Sequence, residues 1–277
     1  MKNYKLTIAL NIITLFLILG FTGSSASAEY KIKYVGSSTV GRFMEDAAVT
    51  YSHAGFEINT KSESGAGERA VAAGEVDLGG VDGEVKPEIL DQGVKPHLIG
   101  KDVIAVWVNT ENPVTDLSIS QLKNIFVGVT VNWKDLGGPD LPITVYLVKP
   151  RSANRNIFSD TVLEGVPYSD EVRQRFSGKN ILSLQAGSDL LDKIAKDKGG
   201  IGPLSFALGN GQTMSKRVKK VDVDGQIASV SNPEYPITSP IYLITNGEPN
   251  PATKEFLDWT VSSDGQSIIK RYFIGVK

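Results

Sequence analysis

The fold is decided at residues 30–51, which read YKIKYVGSSTVGRFMEDAAVTY. The segment from Tyr30 to Val35 has the pattern of a strand, and the small polar loop Gly36-Ser37-Ser38-Thr39 follows it. After the loop, apolar residues recur at the three- and four-residue spacing of one helix face, namely Val40, Phe43, Met44, Ala47, Ala48 and Tyr51. The stretch therefore predicts a strand, a tight loop and an amphipathic helix.

Strand and helix patterns continue to alternate along the chain. Further strands are predicted at Phe56–Thr60, Val76–Val81, Val103–Val108, Ile143–Val148 and Ile241–Thr245, with a hairpin around Asp224-Gly225. Helices are predicted at Ala66–Ala73, after a capping box of Ser118 and Gln121, after Arg151-Ser152-Ala153-Asn154, across Leu190–Ala195, from Pro251, and at Gln266–Tyr272. This order predicts an α/β protein with mainly parallel sheet.

The composition is that of a folded globular protein. The chain has 277 residues, of which 41% are hydrophobic and 22% charged. It has no cysteine, which excludes a thiol nucleophile, a cysteine-ligated metal and a lipid-anchored amino terminus. The 31 acidic residues outnumber the 29 basic ones, two of which lie in the leader. Nucleic acid is therefore not an expected partner.

Residues 1–28 have the pattern of a signal peptide. Lys2 and Lys5 give a basic start, the apolar stretch Leu6 to Phe21 follows, and Ala26-Ser27-Ala28 supplies small residues for cleavage. The apolar stretch is shorter than the roughly 20 residues that span a bilayer, so cleavage is favoured over a retained anchor. We expect a periplasmic or secreted protein.

Three hydroxyl-bearing loops follow predicted strands and precede predicted helices. They are Gly36-Ser37-Ser38-Thr39, Ser62-Glu63-Ser64-Gly65-Ala66-Gly67 and Arg151-Ser152-Ala153-Asn154-Arg155. The start of a helix presents backbone N–H groups without intrahelical partners, so neutral donors can hold an oxyanion there. Any one of these loops is also explained as an ordinary helix cap. Their repetition favours an anion site at the carboxyl ends of the strands.

Further motifs keep a fixed order along the chain. They are Ser64-Gly65-Ala66-Gly67, Val76-Asp77-Leu78-Gly79-Gly80-Val81-Asp82, Ile125-Phe126-Val127-Gly128, Asn132-Trp133, Gly199-Gly200-Ile201-Gly202, Tyr235-Pro236-Ile237, Phe256-Leu257-Asp258 and Ser263-Asp264-Gly265-Gln266. Together with the first loop, this order resembles the phosphate-binding proteins that feed ABC importers, members of the periplasmic binding protein superfamily. The resemblance covers almost the whole mature chain.

The resemblance implies a two-lobed Venus flytrap fold with a mainly parallel sheet in each lobe. Lobe 1 would comprise residues 29–108 and 237–277, and lobe 2 residues 109–236, with crossings at Asn109–Pro113 and Ser231–Pro236. Such a protein captures inorganic phosphate between its lobes, uses no cofactor and delivers the ligand to a membrane ABC permease. We expect a monomer, although the sequence leaves a dimer open.

In lobe 1 the resemblance makes Ser38, Thr39, the Val40 amide and Ser64 donors to the anion. It makes Asp82 the acceptor of a proton from the ligand. A carboxylate repels a fully deprotonated oxyanion such as sulfate, whereas phosphate still carries an O–H that Asp82 can accept. Asp82 therefore favours phosphate.

The loop expected in lobe 2 departs from the family pattern. Family members carry Gly-Ser-Gly-Thr at this helix start and an arginine four residues before the serine, where this chain has Val148. Ser152, the Ala153 amide and the Asn154 side chain can still donate. Arg151 is our first choice for the cation, with Lys149 and Arg155 nearby. A phosphonate or another protonated oxyanion is the alternative ligand.

Other classes of function find less support in the sequence. The chain has only two histidines, His53 and His97, and neither falls near the serine loops, so no enzyme is expected. No cluster of metal ligands is visible. Trp133 is the one tryptophan expected to be exposed, as a sugar-binding platform would require. A secreted sensor or interaction protein on the same fold remains open.

Overall fold

The structure is a computed structural model that describes residues 30–148, 153–165, 181–184, 187–209 and 216–276. The leader predicted at residues 1–28 lies outside this part of the chain. Within the described ranges, no helix is long and apolar enough to cross a membrane.

The elements follow one another in the predicted alternation. The first part of the chain forms β1 (Lys31–Ser37), α1 (Ser38–Thr50), β2 (Gly55–Ser62), α2 (Ser64–Ala72), β3 (Leu78–Asp82), α3 (Pro87–Leu90) and β4 (Val94–Asn109). The middle part forms β5 (Asp116–Leu117), α4 (Ile119–Phe126), a 3-10 turn (Trp133–Leu136), β6 (Thr144–Val148), α5 (Ala153–Val162), β7 (Ile181–Leu184), α6 (Gly187–Ile194), β8 (Gly200–Ser205), α7 (Phe206–Gly209) and β9 (Val218–Val223). The last part forms β10 (Thr238–Asn246), α8 (Pro251–Thr260), α9 (Ser263–Ile269) and β11 (Ile274–Gly275).

The strands form a continuous path in the order β2-β1-β3-β10-β4-β8-β6-β7. In the first sheet β1 is parallel to β2 and β3, and β10 runs antiparallel to both β3 and β4. In the second sheet β6 is parallel to β7 and β8, and β4 runs antiparallel to β8. The predicted α/β fold is confirmed, but the sheet is mixed: parallel pairs lie on either side, and antiparallel pairs made by β10, β11 and β4 join them.

The long strand β4 belongs to both sheets. Its first half pairs with β10 as far as Val103, and from Ile104 onward it pairs with β8 and β9. The returning chain runs beside this point, because the N–H of Ile104 donates to the carbonyl of Ile237 at 2.9 Å and Tyr235 Oη donates to the carbonyl of Ile104 at 3.2 Å. We therefore propose a first crossing at Val103–Ile104, a few residues before the expected Asn109–Pro113.

Each sheet has its own apolar core. The first is filled by the predicted face of α1, whose Val40, Phe43, Met44 and Ala47 are fully buried. The second is filled by the run Val103–Val108, buried on both faces as an unbroken apolar strand requires. Burial of such side chains contributes about 25 cal/mol per Å² of apolar surface.

Two local predictions differ from the structure. The turn at Asp224-Gly225 is present, with φ of 50° and 72°, but the residues after it form only a single bridge, Val223 to Gln226, instead of a second strand. Strand β9 pairs with β4 and β5 instead.

The prediction that Trp133 is exposed is wrong. Its side chain is fully buried, and its Nε1 donates to the carbonyl of Gly199 at 2.9 Å. By contrast, the capping box of Ser118 and Gln121 is confirmed.

Candidate binding site

The first junction of the candidate site lies where β1 passes directly into α1. Ser37 caps the helix, and its Oγ accepts a hydrogen bond from the N–H of Thr39 at 3.2 Å. Ser38, Thr39 and Val40 are the first three helical residues, and Ser38 is exposed whereas Thr39 is buried. The first turn carries no acidic residue. An anion can therefore approach the positive end of this helix without meeting a carboxylate of the same turn.

The second junction lies between β2 and α2. Helix α2 begins at Ser64, and the residue before it, Glu63, gives no side-chain capping bond. Ser64 Oγ accepts a hydrogen bond from the N–H of Asp82 at 3.1 Å. This contact joins the start of α2 to the end of β3, so two predicted site residues from different elements lie side by side.

Glycines bring the first sheet and α2 close together at this end. A Cβ on Gly36 would lie 2.3 Å from the backbone N of Gly80, and one on Gly67 would lie 2.7 Å from the carbonyl oxygen of Val35. A Cβ on Gly80 would lie 2.0 Å from Tyr34 Oη. Real side chains cannot occupy these positions without displacing the backbone or a buried ring. The glycines thus set the distance between the two helix starts.

Asp82 is the buried acid of the site. It is 3% exposed, and its Oδ1 accepts a hydrogen bond from Ser239 Oγ at 2.8 Å. Burial raises the pKa of Asp82 to about 6, while hydrogen bonds from Ser239 and Thr39 act in the opposite direction. The carboxyl is therefore charged at neutral pH and becomes protonated in a mildly acidic solution. Thr39, Ser64 and Asp82 all meet at one place.

Sequence reasoning missed two buried residues next to Asp82. Ser239 and Asp102 are both fully buried and face each other across the β10 and β4 pair. The pKa of Asp102 lies well above its usual range because of burial first and the charge of Asp82 second. The sequence signal for a site residue was weak at both Ser239 and Asp102, because each is a single polar residue at the edge of an apolar strand. Their proximity to Asp82 depends on where β10 enters the sheet.

The second side of the site is described only in part. The predicted helix is present as α5, but it begins at Ala153, inside the loop Arg151-Ser152-Ala153-Asn154 that it is predicted to follow. Arg151 and Ser152 lie outside the described residues, as do the side chains of Ala153 and Asn154. Their roles in binding therefore stay predictions.

Helix α5 lies close to the end of β3. The Cδ1 atom of Ile157 is 3.7 Å from where a Cβ on Gly83, the residue after Asp82, would stand. Arg155 is buried, and its Nη1 donates to the carbonyl of Val148 at 3.3 Å, at the end of β6. The first turns of α5 thus lie close to Asp82.

The two histidines have partners elsewhere. His53 lies beyond the far end of α1, with Nδ1 at 2.6 Å from Glu255 Oε1. His97 Nε2 lies 3.0 Å from Thr245 Oγ1 in the β4 and β10 pair. Among the described residues, no group of three or more potential metal ligands occurs.

Comparison with known proteins identifies the superfamily to which this chain belongs. A family model described as a PBP superfamily domain matches residues 22–264, so the chain belongs to that superfamily. The chain is 28% identical over 292 residues to the phosphate-binding protein PstS of Bacillus subtilis (strain 168), with 97% of this chain and 92% of the relative covered. The resemblance predicted from the motifs is confirmed.

Solved structures agree with this relationship. A putative phosphate ABC transporter substrate-binding protein with bound phosphate from Clostridium perfringens has a TM-score of 0.75 and 29% identity, covering 89% of this chain and 100% of that one. An ABC-type phosphate transport receptor from Vibrio cholerae has a TM-score of 0.66 and 23% identity, covering 88% of this chain and 99% of that one. The second comparison shows the shared fold.

Proposed function

We propose that this chain is an extracytoplasmic solute-binding protein that captures inorganic phosphate between two lobes and delivers it to an ABC permease. The observation that carries the proposal is the convergence of Thr39, Ser64 and the buried Asp82 at the starts of two helices. The names of the relatives support the same ligand.

The chemistry of the first side suits a protonated oxyanion. Backbone N–H groups at the start of α1 and the hydroxyls of Ser38, Thr39 and Ser64 would donate to the deprotonated oxygens. Asp82, charged at neutral pH, would accept the proton that phosphate retains. Sulfate has no such proton, so its binding would place two negative groups in contact.

The second side would complete the site. We propose that Ser152, the Ala153 amide and Asn154 donate from the start of α5, and that Arg151 supplies a positive charge. Contacts to one ligand from both sides would stabilise the arrangement in which the lobes are closed. Closure about the paired segments at Val103–Ile104 and Tyr235–Ile237 would bring the two sides together.

The remaining features of the proposal follow from this role. We propose that the leader is cleaved after Ala28, that the mature protein is a periplasmic or secreted monomer, and that it catalyses no reaction. The relative from Bacillus subtilis is named a phosphate-binding protein and the structure from Clostridium perfringens a putative substrate-binding protein, which supports a binding role.

Isothermal titration of ligand-free protein tests the proposal. Phosphate and arsenate, which share shape and a retained proton, should bind and compete with each other, whereas sulfate should not bind. A protein that binds neither phosphate nor arsenate would contradict the proposal and would favour a sensor or interaction role on the same fold.

A further inference from the structure

Two buried acids lie on one face of the first sheet, the face that α1 covers. Asp82 of β3 pairs in register with Ile241 of β10, and Asp102 of β4 pairs with Ser239, two residues before Ile241 on the same strand. Paired residues share a face of the sheet, and so do alternate residues of one strand. The three polar residues therefore lie on the side of Ile241, which packs in the core with α1. We call Asp82 and Asp102 the acid pair.

Ser239 can donate to only one member of the acid pair, because a serine hydroxyl carries one proton. Its Oγ lies 2.8 Å from Asp82 Oδ1 and 3.4 Å from the carbonyl oxygen of the next residue, Pro240. The nearer acceptor is also the charged one and forms the stronger bond. The proton therefore goes to Asp82, and toward Asp102 the hydroxyl oxygen can act only as an acceptor.

Asp102 lacks the donors that a buried carboxylate needs. It is fully buried, and among the described residues neither of its carboxyl oxygens has a well-formed hydrogen bond. The hydroxyl of Ser205 and two backbone N–H groups favour its charged form, but burial and the charge of Asp82 outweigh them and raise the pKa of Asp102 well above its usual range. Because an unpaired charge is costly to bury, Asp102 keeps its proton.

The other charged groups on the elements around the acid pair are engaged elsewhere or exposed. Glu68 of α2 pairs with Lys86 at 2.8 Å, and Arg155 of α5 donates to a backbone carbonyl at the end of β6. The exposed charged side chains of α1, α2 and β4 include Arg42, Glu45, Arg69 and Lys101. The electrostatic balance within the acid pair is therefore set mainly by its two members and by the hydroxyl that lies between them.

We propose that Ser239 is a positioning residue for the anion site: by giving its proton to Asp82 and none to Asp102, it places the single negative charge of the acid pair where the ligand binds. The inference rests on the proposed function, because the charge on Asp82 accepts the proton of phosphate and rejects sulfate. Thr39 also donates to Asp82, but its hydroxyl is one of the proposed donors to the anion. When that hydroxyl turns to the ligand, Ser239 still holds the charge on Asp82.

The first test is carbon-13 NMR of the aspartate carboxyls in ligand-free protein, with signals assigned through Asp82→Asn and Asp102→Asn. In the parent, Asp82 should titrate near pH 6, while Asp102 stays protonated at pH 7. Ser239→Ala should move the Asp82 midpoint up by about one to two pH units, as expected when a charged group loses a hydrogen bond. Ser239→Thr keeps the hydroxyl and should restore the parent midpoint.

Isothermal titration with inorganic phosphate connects this midpoint to binding. Ser239→Ala should bind phosphate about twofold to tenfold more weakly than the parent at pH 7, and most of the loss should disappear at pH 9, where Asp82 is charged in both proteins. A purely structural defect would persist at pH 9. Thr245→Val is the matched control, because Thr245 is another buried hydroxyl residue of β10 and donates to the carbonyl of Gly247. It should change neither the midpoint nor the affinity.

Two results would overturn the inference. One is an unchanged Asp82 midpoint in Ser239→Ala, and the other is a charged Asp102 at pH 7 in the parent, which can be observed even if Ser239→Ala does not fold. Both are read without ligand, so the inference can fail while phosphate binding persists. A parent protein that binds no phosphate would instead overturn the proposed function.

Discussion

The two sides of the candidate site are built from strand-to-helix junctions of different length. On the first side β1 ends at Ser37 and α1 begins at the next residue, so backbone N–H groups stand directly at the edge of the sheet. On the second side residues 149–152 separate the end of β6 from the start of α5. Backbone N–H groups of the first side are thus positioned by the sheet, whereas the donors that we propose on the second side follow a longer connection.

The close contacts made by glycines also differ between the first sheet and the second sheet. In the first sheet and the helix α2 packed on it, Gly36, Gly67 and Gly80 make their close contacts at the site. In the second sheet a Cβ on Gly202 would lie 2.5 Å from the carbonyl oxygen of Tyr146, near the beginning of β8. At the other end of this sheet, where α6 begins, a Cβ on Gly187 would lie 2.6 Å from Cδ1 of the Leu204 side chain. We propose that backbone packing shapes the first half of the site, and that the second half adds contacts to it.

The largest effect is expected from Gly80→Ala. The new methyl group would collide with the buried ring of Tyr34, whose hydroxyl is held by the carbonyl of Ser37 at 3.0 Å. We expect a loss of about 3 kcal/mol or more in the free energy of unfolding, measured by urea denaturation. Gly65→Ala is the control, since the nearest atom is 3.4 Å away on the flexible Arg69. Equal midpoints for the two variants would contradict the packing role.

Asp82→Asn should have the largest effect on ligand choice. Loss of the charged acceptor should weaken phosphate binding about tenfold to a hundredfold, as expected for a hydrogen bond to a charged group. Sulfate binding should improve, because the repelling charge is gone. Asp91→Asn, which changes an exposed acid, is the control. If titration finds the same sulfate rejection in parent and Asp82→Asn, the role given to Asp82 is wrong.

The pH dependence of phosphate binding should report the protonation of Asp82. Because burial raises its pKa to about 6, Asp82 is charged at pH 7 and mostly protonated at pH 5. The affinity advantage of the parent over Asp82→Asn should therefore shrink about tenfold between these pH values. Comparing the two proteins at each pH cancels the titration of phosphate itself. A constant ratio would mean that Asp82 does not titrate in this range.

Ser64→Ala should have a smaller effect on both stability and binding. It removes the acceptor for the N–H of Asp82, which should cost about 1 kcal/mol of folding free energy. Phosphate affinity should fall about fivefold as Asp82 loses its anchor. Ser267→Ala is the control, because that exposed hydroxyl donates only to the carbonyl of Asp264. Unchanged phosphate affinity in Ser64→Ala would argue that α2 plays no part in the site.

The smallest effect is expected from Ser152→Ala on the second side. If this side adds contacts to a site already formed by the first, losing one neutral donor should weaken phosphate binding about threefold to tenfold. Titration of Ser152→Ala beside Ser64→Ala compares the two sides directly. A larger loss at Ser152 than at Asp82 would reverse the order of importance that we give to the two sides.

The sequence carried enough information for the fold and for placing Thr39, Ser64 and Asp82 in one candidate site, where the structure brings them together. Periodic apolar residues predicted α1, and local hydroxyl residues predicted Thr39 and Ser64, since both signals lie within short stretches of chain. Ser239 and Asp102 reach Asp82 only because β10 returns to lie between β3 and β4, a contact between distant parts of the chain. The burial of Trp133 likewise depends on packing against Gly199, far along the sequence.

The most direct test of the account is an anomalous-scattering map of crystals grown with arsenate. We predict a single arsenic peak within hydrogen-bond reach of Ser64, Asp82 and the start of α1 on one side and of Ser152 to Asn154 on the other. A peak bound by only one side, or no peak between the two, would contradict the claim that separate helix starts share one proton-bearing anion.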